Sequence, residues 1–95
     1  MKIIFKSSFV ERLENQIEYI AKDSPYYAQK FKNELLGKIK NIPDNPLIYR
    51  KSIYFNDHTI RDLIYKGYTI VFRINFDIIE VFGFVKYQKN PFDEK

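Results

Sequence analysis

The side chains in this sequence best suited to chemistry are cations set into β-prone segments near its end. Arg61 lies in Ile60-Arg61-Asp62-Leu63-Ile64-Tyr65 and Arg73 in Tyr68-Thr69-Ile70-Val71-Phe72-Arg73-Ile74-Asn75, while Lys86 and Tyr87 follow the run from Ile78 to Val85. A guanidinium keeps its charge and is costly to bury alone. Each strand arginine must therefore face solvent, pair with an acid or line an anion-binding site. Its fork of donors matches phosphate oxygens, as stabilising the extra charge on a pentavalent phosphate requires. Lys86 or Lys89 could act as a base only if burial or neighbouring positive charge brought its pKa well below about 10.4. Tyr87 could donate a proton or stack on a base. Arg50, Lys51 and Lys89 are further candidates for contact with an anionic group or a target. Each of these residues also has a purely structural reading. Arg61 could form a cross-strand ion pair, since Asp62 is its neighbour, and Arg73 could pair with Asp62 or Glu80 on adjacent strands. Lys86, Tyr87 and Lys89 could be the solvated end of a strand, and Arg50 and Lys51 plain loop charges.

Composition narrows the chemistry. With no Cys among 95 residues there is no disulfide framework, thiolate metal site or cysteine nucleophile. The single His, His58 in a turn-like Asn56-Asp57-His58 segment, argues against a zinc site or a His-based triad. No metal and no cofactor are expected. The formal charge of +4 favours anionic partners without establishing nucleic-acid binding. The apolar start Met1 to Phe5 is too short for a signal peptide, and no run nears the roughly 18 apolar residues that span a bilayer. A cytoplasmic protein without membrane contact is expected, with residues 1–95 forming one domain.

The elements that must position the cations follow from periodicity. Lys2 to Lys6 reads as a short first strand. Ser8 and Glu11 have the spacing of a capping box, and Phe9, Leu13, Ile17 and Ile20 form a helical stripe ending near Lys22. Glu18 and Lys22 are spaced for an i,i+4 pair. Asp23-Ser24-Pro25 breaks that helix and restarts another, since Ser caps well and Pro suits a first helical position. The second stripe runs Ala28, Phe31, Leu35, Ile39, Ile42, and Pro43 and Pro46 end it. So short a link makes the helices a hairpin. Ser52 to Phe55 reads as a short extended segment. The three later runs, separated by Lys66-Gly67 and Phe76-Asp77, form an antiparallel meander. The fold class is α+β: β-α-α-β-β-β, an antiparallel sheet packed on an N-terminal helical hairpin.

The order of these pieces resembles the RelE/ParE superfamily of toxins from bacterial type II toxin–antitoxin systems. The likeness rests on Ile17-Glu18-Tyr19-Ile20-Ala21, Ser24-Pro25, Ala28-Gln29-Lys30-Phe31, Ile42-Pro43 with Pro46, and Ile60-Arg61-Asp62-Leu63. It continues through Gly67-Tyr68-Thr69-Ile70-Val71-Phe72-Arg73-Ile74 and a last strand leading into Lys89-Asn90-Pro91. The long hairpin and the Ser-Pro link look more like the ParE branch, which is associated with inhibiting DNA gyrase. Many members carry a His and then an Arg near the end of the last strand, where this chain has Lys86 and Lys89. The resemblance implies a growth-inhibiting toxin that poisons gyrase and is neutralised by a cognate antitoxin. The RelE-like alternative is a metal-independent mRNA endoribonuclease acting on the ribosome, with Arg61, Arg73, Lys86 and Tyr87 as its catalytic set. A third reading is a degenerate, non-toxic binding module.

Overall fold

A computed structural model of the chain describes residues 1–86. Strand β1 (Lys2–Phe5) leads into helices α1 (Ser7–Asp23) and α2 (Pro25–Lys40), and two 3-10 turns (Ile42–Asp44 and Pro46–Ile48) follow. The remaining strands are β2 (Arg50–Lys51), β3 (Ile60–Tyr65), β4 (Tyr68–Asn75) and β5 (Ile78–Lys86). Ser24 is the whole link between the helices. Its side chain accepts the Tyr27 N–H and Pro25 occupies the first helical turn, as the sequence led one to expect. The capping box does not form. The helix begins two residues earlier, capped from Lys6, and the Ser8 hydroxyl instead donates to the Phe82 carbonyl on β5, tying the start of α1 to the sheet. No Glu18–Lys22 ion pair occurs among the described residues.

All five residues of the second stripe are buried, and Phe9 and Leu13 of the first join them. They pack on Leu63, Tyr65, Ile70, Phe72, Ile79, Val81 and Phe84, one face of the sheet. The strand order is β1-β5-β4-β3-β2. The meander is antiparallel, but β1 runs parallel to β5, with Lys2 opposite Ile78 and Phe5 opposite Val81. The sheet is therefore mixed, a correction to the antiparallel sheet expected. Both connections of the meander are two-residue turns. Lys66 and Gly67 have φ of 47° and 84°, the pair of positive values that a type I′ turn needs.

A bulge opposite Val71–Phe72 leaves Phe82 unpaired between Val81 and Gly83. The extra residue returns Phe84 to the helix side, where it packs edge-on against Phe9. Gly83 has to be glycine for a local reason. A Cβ there would stand 2.8 Å from the Cβ of Val71 on the neighbouring strand.

The opposite face of the sheet is covered too. Residues 52–58 cross it as a strap. The Ile53 N–H donates to Asp62 Oδ2 at 3.1 Å, and the Phe55 ring meets Phe82 with centroids 5.7 Å apart. Ile60, Asp62 and Val71 are buried beneath. Ser52 to Phe55 is thus no strand. The last ladder bond runs from the Ser52 N–H to the Ile60 carbonyl at 2.8 Å, and the next N–H, that of Ile53, goes to the Asp62 carboxylate.

Where α2 meets the β3–β4 turn, Glu34 Oε1 accepts the Tyr65 hydroxyl at 2.5 Å and the Lys66 ammonium at 3.2 Å. The Tyr65 hydrogen bond first, and that of Lys66 second, hold the Glu34 carboxyl below its ordinary range. Burial first, and then Glu34, push the Tyr65 hydroxyl up. A depressed carboxyl contributes stability above its unfolded value, which is lost as pH falls through the folded one. A raised phenol contributes below its unfolded value, about 10, and that contribution is lost as pH rises through the folded one. Melting temperature measured against pH should fall at both ends, and Tyr65→Phe should flatten both slopes. Unchanged acid and alkaline limbs in that variant would show that the cluster carries no linkage.

Candidate functional site

Arg61 and Arg73 do not share a site. Register places Arg61 opposite Phe72, on the helix side of the sheet, and Arg73 opposite Ile60, on the strap side. At the sheet edge, Arg61 donates through Nε to the His58 carbonyl at 2.9 Å and through Nη1 to the Tyr49 carbonyl at 3.0 Å, so it staples both ends of the 50–58 segment. Arg73 faces Glu80 across the ladder, Nη1 to Oε1 at 3.8 Å, and lies over the Phe82 ring. The pair is long and half exposed, worth at most about 1 kcal/mol. The two guanidinium groups therefore do not meet on one phosphate, as the nuclease alternative would need. Two adjacent strands display them on opposite faces because their positions, 61 and 73, differ in pleat parity across the register.

The other cations divide similarly. Arg50 is bound, with its Nε 3.1 Å from Asp62 Oδ2. Lys51 is exposed at the free edge beside Arg61. Lys86 ends β5 on the helix side, with its ammonium 5.4 Å from the centre of the Tyr19 ring. Tyr49 packs edge-on against Phe72 and belongs to the core rather than to a binding surface. The expectations for Tyr87 and Lys89 fall outside the described residues. Among the described residues, no group of acids and His is spaced to hold a metal ion, and no helix is long and apolar enough to cross a membrane.

Asp62 is the electrostatic centre of this half of the molecule. Its side chain has no solvent exposure. One oxygen, Oδ2, takes both Arg50 Nε and the Ile53 N–H, while Oδ1 has no hydrogen-bond partner among the described residues. The carboxylate thereby fixes the strap to the sheet, at the cost of a buried ion whose second oxygen is unsatisfied.

An apolar surface suited to a partner lies elsewhere, along the helical hairpin. An apolar groove of about 240 Å³ runs between α1 and α2, floored by Phe9, Leu13 and Ile17 and walled by Phe5, Val10 and Leu36, with Glu14 and Lys32 on its rim. Phe5 and Val10 are exposed apolar residues. Phe5 also ends β1, whose outer edge is unpaired among the described residues. Groove and edge strand thus meet at one residue. The sequence contains a trace of this surface, because Val10 and Leu36 are apolar residues standing one position beside the buried stripes.

Comparison with known proteins agrees with this geometry. A family model described as the ParE toxin of the type II toxin–antitoxin system parDE matches residues 3–90. No curated protein matches significantly. A solved structure described as a chromosomal ParDE TA system from P. aeruginosa superposes with a TM-score of 0.75 at 13% identity, covering 93% of this chain and 97% of that one. At that identity the superposition establishes the shared fold.

Proposed function

The chain belongs to the ParE toxin family of type II toxin–antitoxin systems, and from that premise we propose that it arrests growth in the cytoplasm by poisoning DNA gyrase. A cognate antitoxin would keep it silent by laying an amphipathic helix in the groove between α1 and α2 and extending along the free edge of β1. The groove supports this reading, since it offers apolar walls, one acid and one base at its rim, and a strand edge at its end. The net charge of +4 suits an acidic partner segment and would speed its encounter.

The choice of gyrase over mRNA is carried by one observation, the display of Arg61 and Arg73 on opposite faces of the sheet. Metal-free ribonuclease chemistry needs a base, an acid and charge stabilisation converging on one phosphate. The two arginines proposed for charge stabilisation are apart, with Arg61 committed to backbone carbonyls and Arg73 facing Glu80. A protein that acts by contact needs no such convergence.

Purified without antitoxin, the chain should block supercoiling by gyrase and accumulate cleaved DNA, while transcripts in a translating extract stay intact. Normal supercoiling together with cut transcripts would replace this reading with the ribosome-dependent nuclease. Absence of both effects would leave a binding module.

A further inference from the structure

Two adjoining clefts open where the end of β5 passes α1 and the strap. One, of about 580 Å³, is flanked by Tyr54 of the strap, and the other, of about 380 Å³, by Tyr19 of α1. They share the same three residues, Arg12, Phe84 and Lys86. No Asp or Glu lines either one, and neither Arg12 nor Lys86 has an acidic partner among the described residues. The flanking rings are open to solvent, Tyr19 at 59% and Tyr54 at 47% exposure. The floor is firm. The Phe84 ring stacks on Tyr68, whose hydroxyl accepts from the Gln16 amide at 2.9 Å.

We infer that this double cleft binds single-stranded nucleic acid, with a phosphodiester held between Arg12 and Lys86 and unstacked bases laid against Tyr19 and Tyr54. Two cations with no carboxylate beside them among the described residues make a field that attracts anions. Arginine adds a fork that fits phosphate oxygens. The aromatic faces on either side decide the class of anion. A carboxylate-rich peptide gains nothing from them, whereas every base has a π-face to stack, and a base inside a duplex is unable to present it. The volumes suit a small ligand group, lying in the usual pocket range of about 300–1,000 Å³. Arg12 carries no sequence signal of this role. It is one polar residue on a helix face, and only the fold brings it to Lys86.

The site stands apart from the choice of gyrase as target. Loss of oligonucleotide binding with supercoiling still inhibited would sink the site alone. The test is fluorescence anisotropy of the full chain with a labelled single-stranded deoxyoligonucleotide, its ribo counterpart, the same sequence as duplex, and a polyglutamate peptide as competitor. Single strands should bind, and the paired change Arg12→Ala with Lys86→Ala should weaken them about tenfold or more. The same change should reduce the salt slope by about 1.4, from two lost phosphate contacts at about 0.7 each. Tyr54→Ala should cost about tenfold through lost stacking. The deoxy and ribo arms show which polymer is preferred, and tighter binding of either supports the site. Removing equal charge from the last turn of α2, by Lys38→Ala with Lys40→Ala, should change little, because neither residue lines a cleft. Equal weakening by that control, tighter duplex binding, or competition by polyglutamate at matched charge would overturn the proposal. Circular dichroism melts of each variant separate lost binding from lost fold.

Discussion

Arg50→Ala should lower stability by about 3 kcal/mol, the low end of the range for stripping a buried ion of its partner. The low end applies because Arg50 is itself 46% exposed, so water can enter where the guanidinium stood. In a chain of 95 residues that corresponds to a drop of about 12–24 °C in melting temperature. The variant retains the Ile53 N–H bond to Asp62 but leaves a negative charge with no compensating cation under the strap. Adding Asp62→Asn to Arg50→Ala should restore part of the loss at neutral pH, since the amide keeps an acceptor for Ile53 without the charge. Urea titrations of both variants at neutral pH measure this directly. If Arg50→Ala melts with the parent at neutral pH, the strap is not held by this ion pair.

Val10→Asp should weaken the antitoxin complex about 30-fold or more while leaving toxicity intact. The reasoning runs from position to packing. Val10 stands on the groove wall in the first turns of α1, so an apolar partner side chain seated there would have to cover a new carboxylate. The fold itself should tolerate the change, because Val10 is exposed and an acid near a helix N-terminus meets the favourable end of the dipole. Co-expression with the antitoxin should then fail to rescue growth, and calorimetry of the purified pair should show the lost affinity. Full rescue with unchanged affinity would place the antitoxin on another surface.

The meander was legible residue by residue. Ile60–Tyr65, Tyr68–Asn75 and the turns at Lys66-Gly67 and Phe76-Asp77 stand where β-branched and aromatic runs meet two-residue links. The Ser24-Pro25 restart and the stripe from Ala28 to Ile42 were equally local signals, and both hold. What the sequence concealed depends on distance along the chain. The parallel pairing of β1 with β5 joins Lys2 to Ile78, and no local pattern encodes it. Ser8 looked like a cap because its spacing to Glu11 is right, yet a carbonyl at Phe82 competes successfully for its hydroxyl. The faces of β3 were hard to read since both are covered, one by the helices and one by the strap, so Ile60, Asp62, Leu63 and Tyr65 are all buried and alternation is lost. That same ambiguity made Arg61 and Arg73 look like neighbours in function. Asp62 appeared as a partner for either of them, and the two-residue strand β2 gives it to Arg50 instead.

The first strand of this chain completes its pairing only against the last. Until Ile78 to Val81 exist, the main-chain groups of Lys2 to Phe5 have no ladder to join. Helices close early from nearby contacts, whereas a pairing of such long sequence separation waits for the whole polypeptide. During synthesis, then, the amino-terminal hairpin can assemble before the strand that pairs with β1 has been made. A message cut short before those codons would yield a helical fragment with an open edge, and not a working toxin.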